Sequence, residues 1–207
     1  MEPSALQITS AIRDEIIRHA REGKPEEICG LLRGRNHRAI EVIRAQNVAP
    51  EKIDNYEVDP QTLLRQFEFE EMGDRMLAIY HSHPVSEAYP SATDAWNANY
   101  PDTYYLICSL ENDETPVLRA FHLLPDFDDL DVAALRETLP FYETRPGLFG
   151  YFIPDERHRP AALAELNYID PPFYVVFTAD GDGRITDHRV VEVREHPVVL
   201  VRDEEEM

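Results

Sequence analysis

The stretch RMLAIYHSH at residues 75–83 restricts the fold more than any other part of the chain. Five consecutive apolar or aromatic residues precede the first histidine. A short apolar run without interruption is typical of a central strand that is covered on both faces. The run ends in His81 and His83, whose side chains point to the same side of an extended chain. The sequence therefore predicts a buried strand that carries two imidazoles at its C-terminal end.

Helical and strand patterns are interspersed around this strand. Behind Ser10, a predicted N-cap, Ile12 and Ile16 recur at helical spacing, and Asp59-Pro60 opens a second helix that ends at Gly73. Further strands are predicted in EEICGLLRG, RAIEVIRAQNV, TYYLICSL and PVLRAFHLL. This order predicts an α/β (α+β) fold in which helices flank a mixed β-sheet, ending near Leu124.

The composition changes near residue 125, so we predict one domain over 1–125 and a C-terminal extension over 126–207. The extension begins with an acidic helix and continues through the linker-like IPDERHRP. Two β-rich runs joined by a Gly-Asp-rich turn then predict a β-hairpin. A calcium loop in DGDGRITD is disfavoured, because it would put Arg189 where a bidentate Glu is required. The acidic tail RDEEEM is expected to be frayed.

Charge and composition exclude several partner classes. The chain has 20 basic and 40 acidic residues, a formal net charge of −20, which repels nucleic-acid phosphate and anionic lipid. No apolar stretch reaches the roughly 20 residues that a membrane span needs. The start of the sequence lacks a basic segment followed by a long apolar run, and two cysteines suggest no secreted disulfide framework. We therefore expect a cytoplasmic protein without nucleic-acid or membrane partners.

His81, His83 and Asp94 form a candidate set of metal ligands. Imidazole is the commonest zinc ligand, and an Asp oxygen from the next helix would complete the three protein ligands of an open catalytic site. Zinc lowers the pKa of a bound water to about 7, so a nucleophile becomes available at neutral pH. Glu27 at the entry of a neighbouring strand is a candidate to take and return the proton.

Less specific interpretations of the same residues remain open at this level. An H-x-H pair is often incidental on a protein surface. Ser91 and Asp94 have the spacing of a capping box, in which both side chains serve only the helix terminus. Spacing alone does not choose between Glu26 and Glu27 as the catalytic carboxylate.

Two motifs resemble those of the JAMM/MPN+ zinc metalloproteases, of the prokaryotic type. The segment His81-Ser-His83-Pro, six residues, Ser91-Ala-Thr-Asp94 is similar to the zinc signature H-[ST]-H-P-x6-S-x-x-D. Upstream, Glu27-Ile-Cys-Gly-Leu-Leu-Arg-Gly is similar to the family's strand E-x-C-G-[IL]-L-x-G. The resemblance covers about residues 5–124 and says little about the remainder.

The resemblance implies a role for each matching residue and an MPN-like, cytidine-deaminase-like architecture. His81, His83 and Asp94 would bind one Zn²⁺ per chain. Glu27, now preferred over its neighbour, would be the catalytic acid and base, and Ser91 would stabilise the oxyanion. We therefore expect a zinc-dependent peptidase or isopeptidase.

The expected substrate is a ubiquitin-like or sulfur-carrier protein that is cut after a C-terminal Gly-Gly, with cysteine or a conjugated lysine as leaving group. The extension could form a docking surface for the carrier, a homodimer interface or a lid, and the sequence does not choose among these three roles. The alternative function is a non-catalytic MPN scaffold in a protein complex, which the intact ligand set and Glu27 disfavour.

Overall fold

The computed structural model describes residues 5–127 and 130–202. Its helices are α1 (Ser10–Gly23), α2 (Pro60–Glu71), α3 (Ala92–Trp96) and α4 (Val132–Thr138). Its strands are β1 (Leu6–Thr9), β2 (Cys29–Arg35), β3 (Arg38–Ala45), β4 (Arg75–His83), β5 (Tyr104–Ser109), β6 (Val117–Asp126), β7 (Tyr142–Arg145), β8 (Leu148–Ile153), β9 (Phe173–Ala179), β10 (Ile185–His196) and β11 (Val198–Val201). Short 3-10 helices lie at Glu156–His158 and Ala161–Leu166.

The chain divides into two compact units. The first comprises the described residues up to 89, residues 102–121 and the described residues from 195 onward. The second comprises residues 90–101 together with the described part of 122–194. The short segment that contains α3 thus belongs to the same unit as most of the C-terminal extension. The predicted domain boundary at residue 125 stays a prediction.

The first unit contains a mixed sheet with the strand order β11-β1-β3-β2-β4-β5-β6. β2 is antiparallel to both β3 and β4, β4 is parallel to β5, and β5 is antiparallel to β6. β4 is buried along its whole length except at Arg75, as its apolar run predicts. The predicted α+β fold with a mixed sheet and flanking helices is confirmed.

Helices α1 and α2 begin at side-chain caps. α1 buries Ile12 and Ile16 in the core of the first unit. Its N-cap is Thr9, whose hydroxyl accepts the Ile12 N–H at 3.3 Å, so the predicted cap at Ser10 is one residue too late. Either hydroxyl residue can cap a helix, and the sequence alone does not rank the two adjacent candidates.

Gly30 in β2 is required by close packing. A Cβ at this position would lie 2.4 Å from the carbonyl oxygen of Ile43 and 2.4 Å from the ring of Tyr80. The glycine of the E-x-C-G segment thus lets the aromatic ring of β4 lie directly against β2. Any side chain here would push apart the strands that carry the candidate site.

The second unit contains four strands in the order β10-β9-β8-β7, with antiparallel neighbours throughout. The predicted acidic helix is α4, and the predicted hairpin consists of β9 and β10. Asp180 closes the hairpin turn, because its carboxylate accepts the N–H groups of Asp182 and Arg184. The β7–β8 hairpin was not predicted. Its turn contains Gly147 at φ +77°, in the left-handed region that favours glycine.

Two further expectations from the sequence concern a membrane-spanning helix and the acidic tail. Within 5–127 and 130–202, no helix has the length and apolar character that a membrane crossing requires. The acidic tail after Arg202 lies outside the described residues, so its predicted fraying is not tested.

Candidate metal centre

The two histidines lie at the buried C-terminal end of β4. His81 is 0% exposed and His83 is 5% exposed. Their Nε2 atoms lie 3.1 Å apart, so both rings direct the same nitrogen to one point. The ring of Tyr56 stacks on His81 at a centroid distance of 4.2 Å and fixes the plane of that imidazole. A surface-exposed, incidental H-x-H pair is therefore excluded.

A backbone carbonyl fixes the tautomer of His83. Its Nδ1 lies 2.7 Å from the carbonyl oxygen of Glu87. Since a carbonyl oxygen only accepts, Nδ1 carries the proton and donates. In the neutral ring Nε2 then holds a lone pair that faces His81. Metal-binding histidines are commonly oriented by such a hydrogen bond.

Asp94 and Ser91 form the predicted capping box at the start of α3. The Asp94 carboxylate oxygen Oδ2 accepts the backbone N–H and the hydroxyl of Ser91, both at 2.7 Å. In return the Asp94 N–H donates to the Ser91 hydroxyl at 3.1 Å. Asp94 is buried, whereas Ser91 is exposed. The box orients the carboxylate, so capping and metal binding are compatible roles for this residue.

His81, His83 and Asp94 together form a buried group compatible with a metal site. Each offers one ligand atom, and these atoms all lie within 4.8 Å of one another. Two imidazole nitrogens and one carboxylate oxygen are the donor set that catalytic zinc sites use, with a coordination position left for water or substrate. The convergence of the two Nε2 atoms fits a small divalent cation.

The structure places Glu27 beside the histidine segment. The N–H of Ile28 donates to the Ser82 hydroxyl and the N–H of Ser82 donates to the Ile28 carbonyl, both at 3.0 Å. Cys29 is the register partner of His81. Glu27 directly precedes Ile28, so its backbone lies next to the strand end that carries the imidazoles. Glu27 is 7% exposed.

Asn47 is a residue that sequence analysis missed. Its side-chain N–H groups donate to the carbonyl oxygens of Glu27 at 2.9 Å and Asn55 at 3.0 Å. Its Oδ1 accepts the N–H groups of Ala49 and Glu57 at 3.0 and 3.1 Å. One buried amide therefore ties the loop after β3 to the backbone of Glu27. The bond to the Ala49 N–H, two residues further along the chain, forms an Asx turn. In the sequence, the signal for this role was an asparagine at the start of a loop.

The two cysteines are free and buried, and the structure gives neither a catalytic environment. Burial, with a smaller contribution from the Asp59 and Glu27 carboxylates, raises the pKa of the Cys29 thiol to about 12. Burial likewise raises the pKa of Cys108 to about 12. Such thiols stay protonated at neutral pH, which argues against nucleophilic catalysis by either cysteine.

Comparison with known proteins gives one family and several named relatives. Residues 9–123 match the family described as prokaryotic homologs of the JAB domain. The chain is 41% identical over 116 residues to the desampylase of Haloferax volcanii, which covers 53% of this chain and 84% of that protein. It is 32% identical over 125 residues to the CysO-cysteine peptidase of Mycobacterium tuberculosis, covering 58% of this chain and 83% of that one.

Two further proteins are similar to this chain over most of their own length. A probable TtuB-protein conjugate cleaving protease from Thermus thermophilus is 34% identical over 132 residues, covering 63% of this chain and 83% of that protein. A protein of known solution structure from Desulfitobacterium hafniense is 33% identical with a TM-score of 0.50, covering 56% of this chain and 82% of that chain. The similarity therefore spans most of each relative and a little more than half of this chain.

Proposed function

This chain belongs to the prokaryotic family of JAB-domain proteins, and from that premise we propose that it is a zinc-dependent peptidase. Its substrate would be an amide or isopeptide bond after the C-terminal Gly-Gly of a ubiquitin-like or sulfur-carrier protein. The observation that carries the proposal is the buried group of His81, His83 and Asp94, with the backbone of Glu27 next to the strand end that carries the imidazoles.

The proposal gives each residue a separate task. His81, His83 and Asp94 would hold one Zn²⁺ per chain. When bound, zinc would polarise the scissile carbonyl and lower the pKa of a coordinated water to about 7. Glu27 would take a proton from the attacking water and return it to the departing amine. The exposed hydroxyl of Ser91, which donates to the Asp94 carboxylate in the structure, would turn to donate to the oxyanion when substrate is bound.

Burial and tethering support the assignment of Glu27. A carboxylate that transfers protons must keep its position through the reaction, because misplacement by about 1 Å can cost a hundredfold in rate. Asn47 and the Ile28–Ser82 bond pair hold the Glu27 backbone at two places. Its neighbour Glu26 is exposed and lacks these tethers among the described contacts. The fold thus favours Glu27 over Glu26.

The names of the relatives support the substrate class. One is named for cleaving CysO-cysteine and another for cleaving a conjugate of TtuB with protein. These names correspond to the two leaving groups that we expect, a cysteine and a conjugated amine. We infer that this chain likewise releases a small amine or a protein from a carrier.

A cytoplasmic location is part of the same proposal. Both cysteines are free and buried, which is common in proteins of reducing compartments. The net charge of −20 disfavours nucleic acid as a partner. Residues 1–125 would form the catalytic domain, and a homodimer stays a prediction.

The test uses small carrier proteins that end in Gly-Gly, fused to a peptide or joined to the side-chain amine of a lysine. The zinc-loaded protein is expected to cut after the second glycine, as mass spectrometry would show. A carrier ending in Gly-Val serves as the matched substrate control. Chelation should stop the reaction and added zinc should restore it. Cleavage that continues in the metal-free protein would contradict the proposal.

A further inference from the structure

Helix α3 carries both Ser91, at its N-cap, and Asp94, but it is only five residues long. An isolated helix of this length is not stable in water, so its position depends on what it packs against. Within the second unit, α3 contacts β7, β8 and β9. These strands lie beyond residue 123, where the match to the family ends. The part of the chain that the family match leaves out therefore supports a helix that the proposed function requires.

The N-terminal side of α3 is fixed by Tyr174. The hydroxyl of this buried β9 residue donates to the carbonyl oxygen of Pro90 at 2.8 Å. Pro90 directly precedes Ser91. The hydrogen bond thus holds the backbone at the point where the chain enters the capping box.

The C-terminal side of α3 is fixed by Arg189 of β10. Its Nη1 donates to the carbonyl oxygen of Trp96 at 2.7 Å. The guanidinium carbon also lies 4.3 Å from the centroid of the Trp96 ring. The side chain of Arg189 is only 12% exposed, so most of it is packed against its neighbours.

The face of α3 lies directly on Gly150 of β8. A Cβ at residue 150 would lie 2.6 Å from the Cβ of Ala92, closer than two carbons approach without displacement. The hydroxyls of Thr93 and Thr144 lie 3.4 Å apart at the same contact. The distance between helix and strand is therefore set by a glycine facing an alanine.

We propose that the C-terminal strands position the metal-binding helix, with Tyr174 and Arg189 as positioning residues and Gly150 as the site of closest approach. The extension would then be part of the catalytic apparatus, because it sets where the Asp94 carboxylate and the Ser91 hydroxyl lie. This inference rests on the proposed function, since it assigns Asp94 to a zinc ion.

The test measures the zinc affinity of the full chain by competition with a chromophoric chelator. Gly150→Ala should displace α3 and weaken zinc binding by about tenfold or more, as changes to groups that orient metal ligands do. The visible absorption of the cobalt(II)-substituted protein should shift, and kcat should fall with KM nearly unchanged. The double variant Ala92→Gly/Gly150→Ala restores the space and should recover most of the affinity.

Two further variants separate positioning from general destabilisation. Tyr174→Phe keeps the ring, removes only the hydroxyl, and should also weaken zinc binding. Gly181→Ala is the matched control, because nothing lies within 4 Å of the added Cβ, and it should bind zinc like the wild type. Circular dichroism and Tm verify that each variant is folded.

The outcomes distinguish this inference from the proposed function. Wild-type protein that binds zinc while folded Gly150→Ala and Tyr174→Phe bind it equally well would overturn the inference alone. The same holds if the double variant recovers nothing, or if Gly181→Ala loses as much affinity as Gly150→Ala. A wild type without zinc would instead overturn the proposed metal centre and this inference with it.

Discussion

The side-chain amide of Asn47 donates to the carbonyl oxygen of Glu27 at 2.9 Å, across twenty residues of sequence. The same side chain receives the N–H groups of Ala49 and Glu57. Because Asn47 is buried, water cannot replace these partners without a change in the fold. The loop after β3 and the catalytic candidate Glu27 are thus one hydrogen-bonded assembly.

Asn47→Ala should lower both stability and turnover. The substitution leaves buried backbone groups without partners, and we expect a loss of about 2–3 kcal/mol in the free energy of unfolding. The kcat should fall because the backbone of Glu27 is no longer tethered, while zinc content should stay at the wild-type level. Chemical denaturation, steady-state kinetics and elemental analysis measure the three quantities.

The matched control for this prediction is Asn112→Ala. Asn112 is exposed, and its Oδ1 accepts the nearby Glu114 N–H at 3.1 Å. Its removal should change the free energy of unfolding by less than about 1 kcal/mol. If both variants lost the same free energy of unfolding, the hydrogen bond from Asn47 to Glu27 would contribute no more to stability than a surface contact does.

Glu27→Gln should separate metal binding from catalysis. The amide keeps the size of the side chain but cannot take up a proton, so kcat should fall by about a hundredfold or more. Zinc content should be unchanged, because Glu27 is not among the metal-binding candidates. Cleavage of a Gly-Gly carrier fusion is the measurement.

Glu26→Gln is the control for Glu27→Gln. Glu26 is exposed and its ion pair with Lys52 is long, at 4.0 Å. Activity should therefore stay at the wild-type level. Full activity in Glu27→Gln, or a comparable loss in Glu26→Gln, would refute the assignment of the acid and base.

His19 should make the stability of the zinc-free protein depend on pH between about 6.5 and 4. Burial, followed by the nearby charge of Arg44, lowers the pKa of His19 from 6.5 to about 4. In this range the unfolded chain binds a proton that the folded chain excludes, so stability falls as pH falls. Above pH 6.5 the contribution is fully present, since His19 is neutral in both states.

The comparison with His19→Gln isolates this effect from other titrating groups. The difference in the free energy of unfolding between wild type and variant should be constant above pH 6.5. As the pH falls towards 4, the wild type should lose more of its free energy of unfolding than the variant does. A difference that stays constant over the whole range would mean that the hydrogen-bonded pair of His19 and Tyr80 does not exclude the proton.

Local sequence patterns were sufficient to predict the elements that present the candidate site. The apolar run that ends in His81 and His83 is confirmed as the buried strand β4. The capping box of Ser91 and Asp94 is present, because it depends on residues three apart. Such features depend on short-range geometry, which the sequence displays directly.

Contacts between distant residues could not be predicted in the same way. Nothing near Pro90 indicates that Tyr174 donates to its carbonyl group, since 84 residues separate the two. The contact between Ala92 and Gly150 equally depends on how β8 packs. The β7–β8 hairpin was missed because β7 is only four residues long and mostly polar, so it carries no strand pattern before the Pro146-Gly147 turn.

The most direct test of the central claim is the metal content of the purified full chain. Wild type, His81→Ala/His83→Ala, and the control His158→Ala, which removes an exposed histidine, would be reconstituted with zinc and measured by elemental analysis. The proposed metal centre requires one zinc per chain in the wild type and in His158→Ala, and none in the double variant. Stoichiometric zinc in the folded double variant, or none in the wild type, would contradict it.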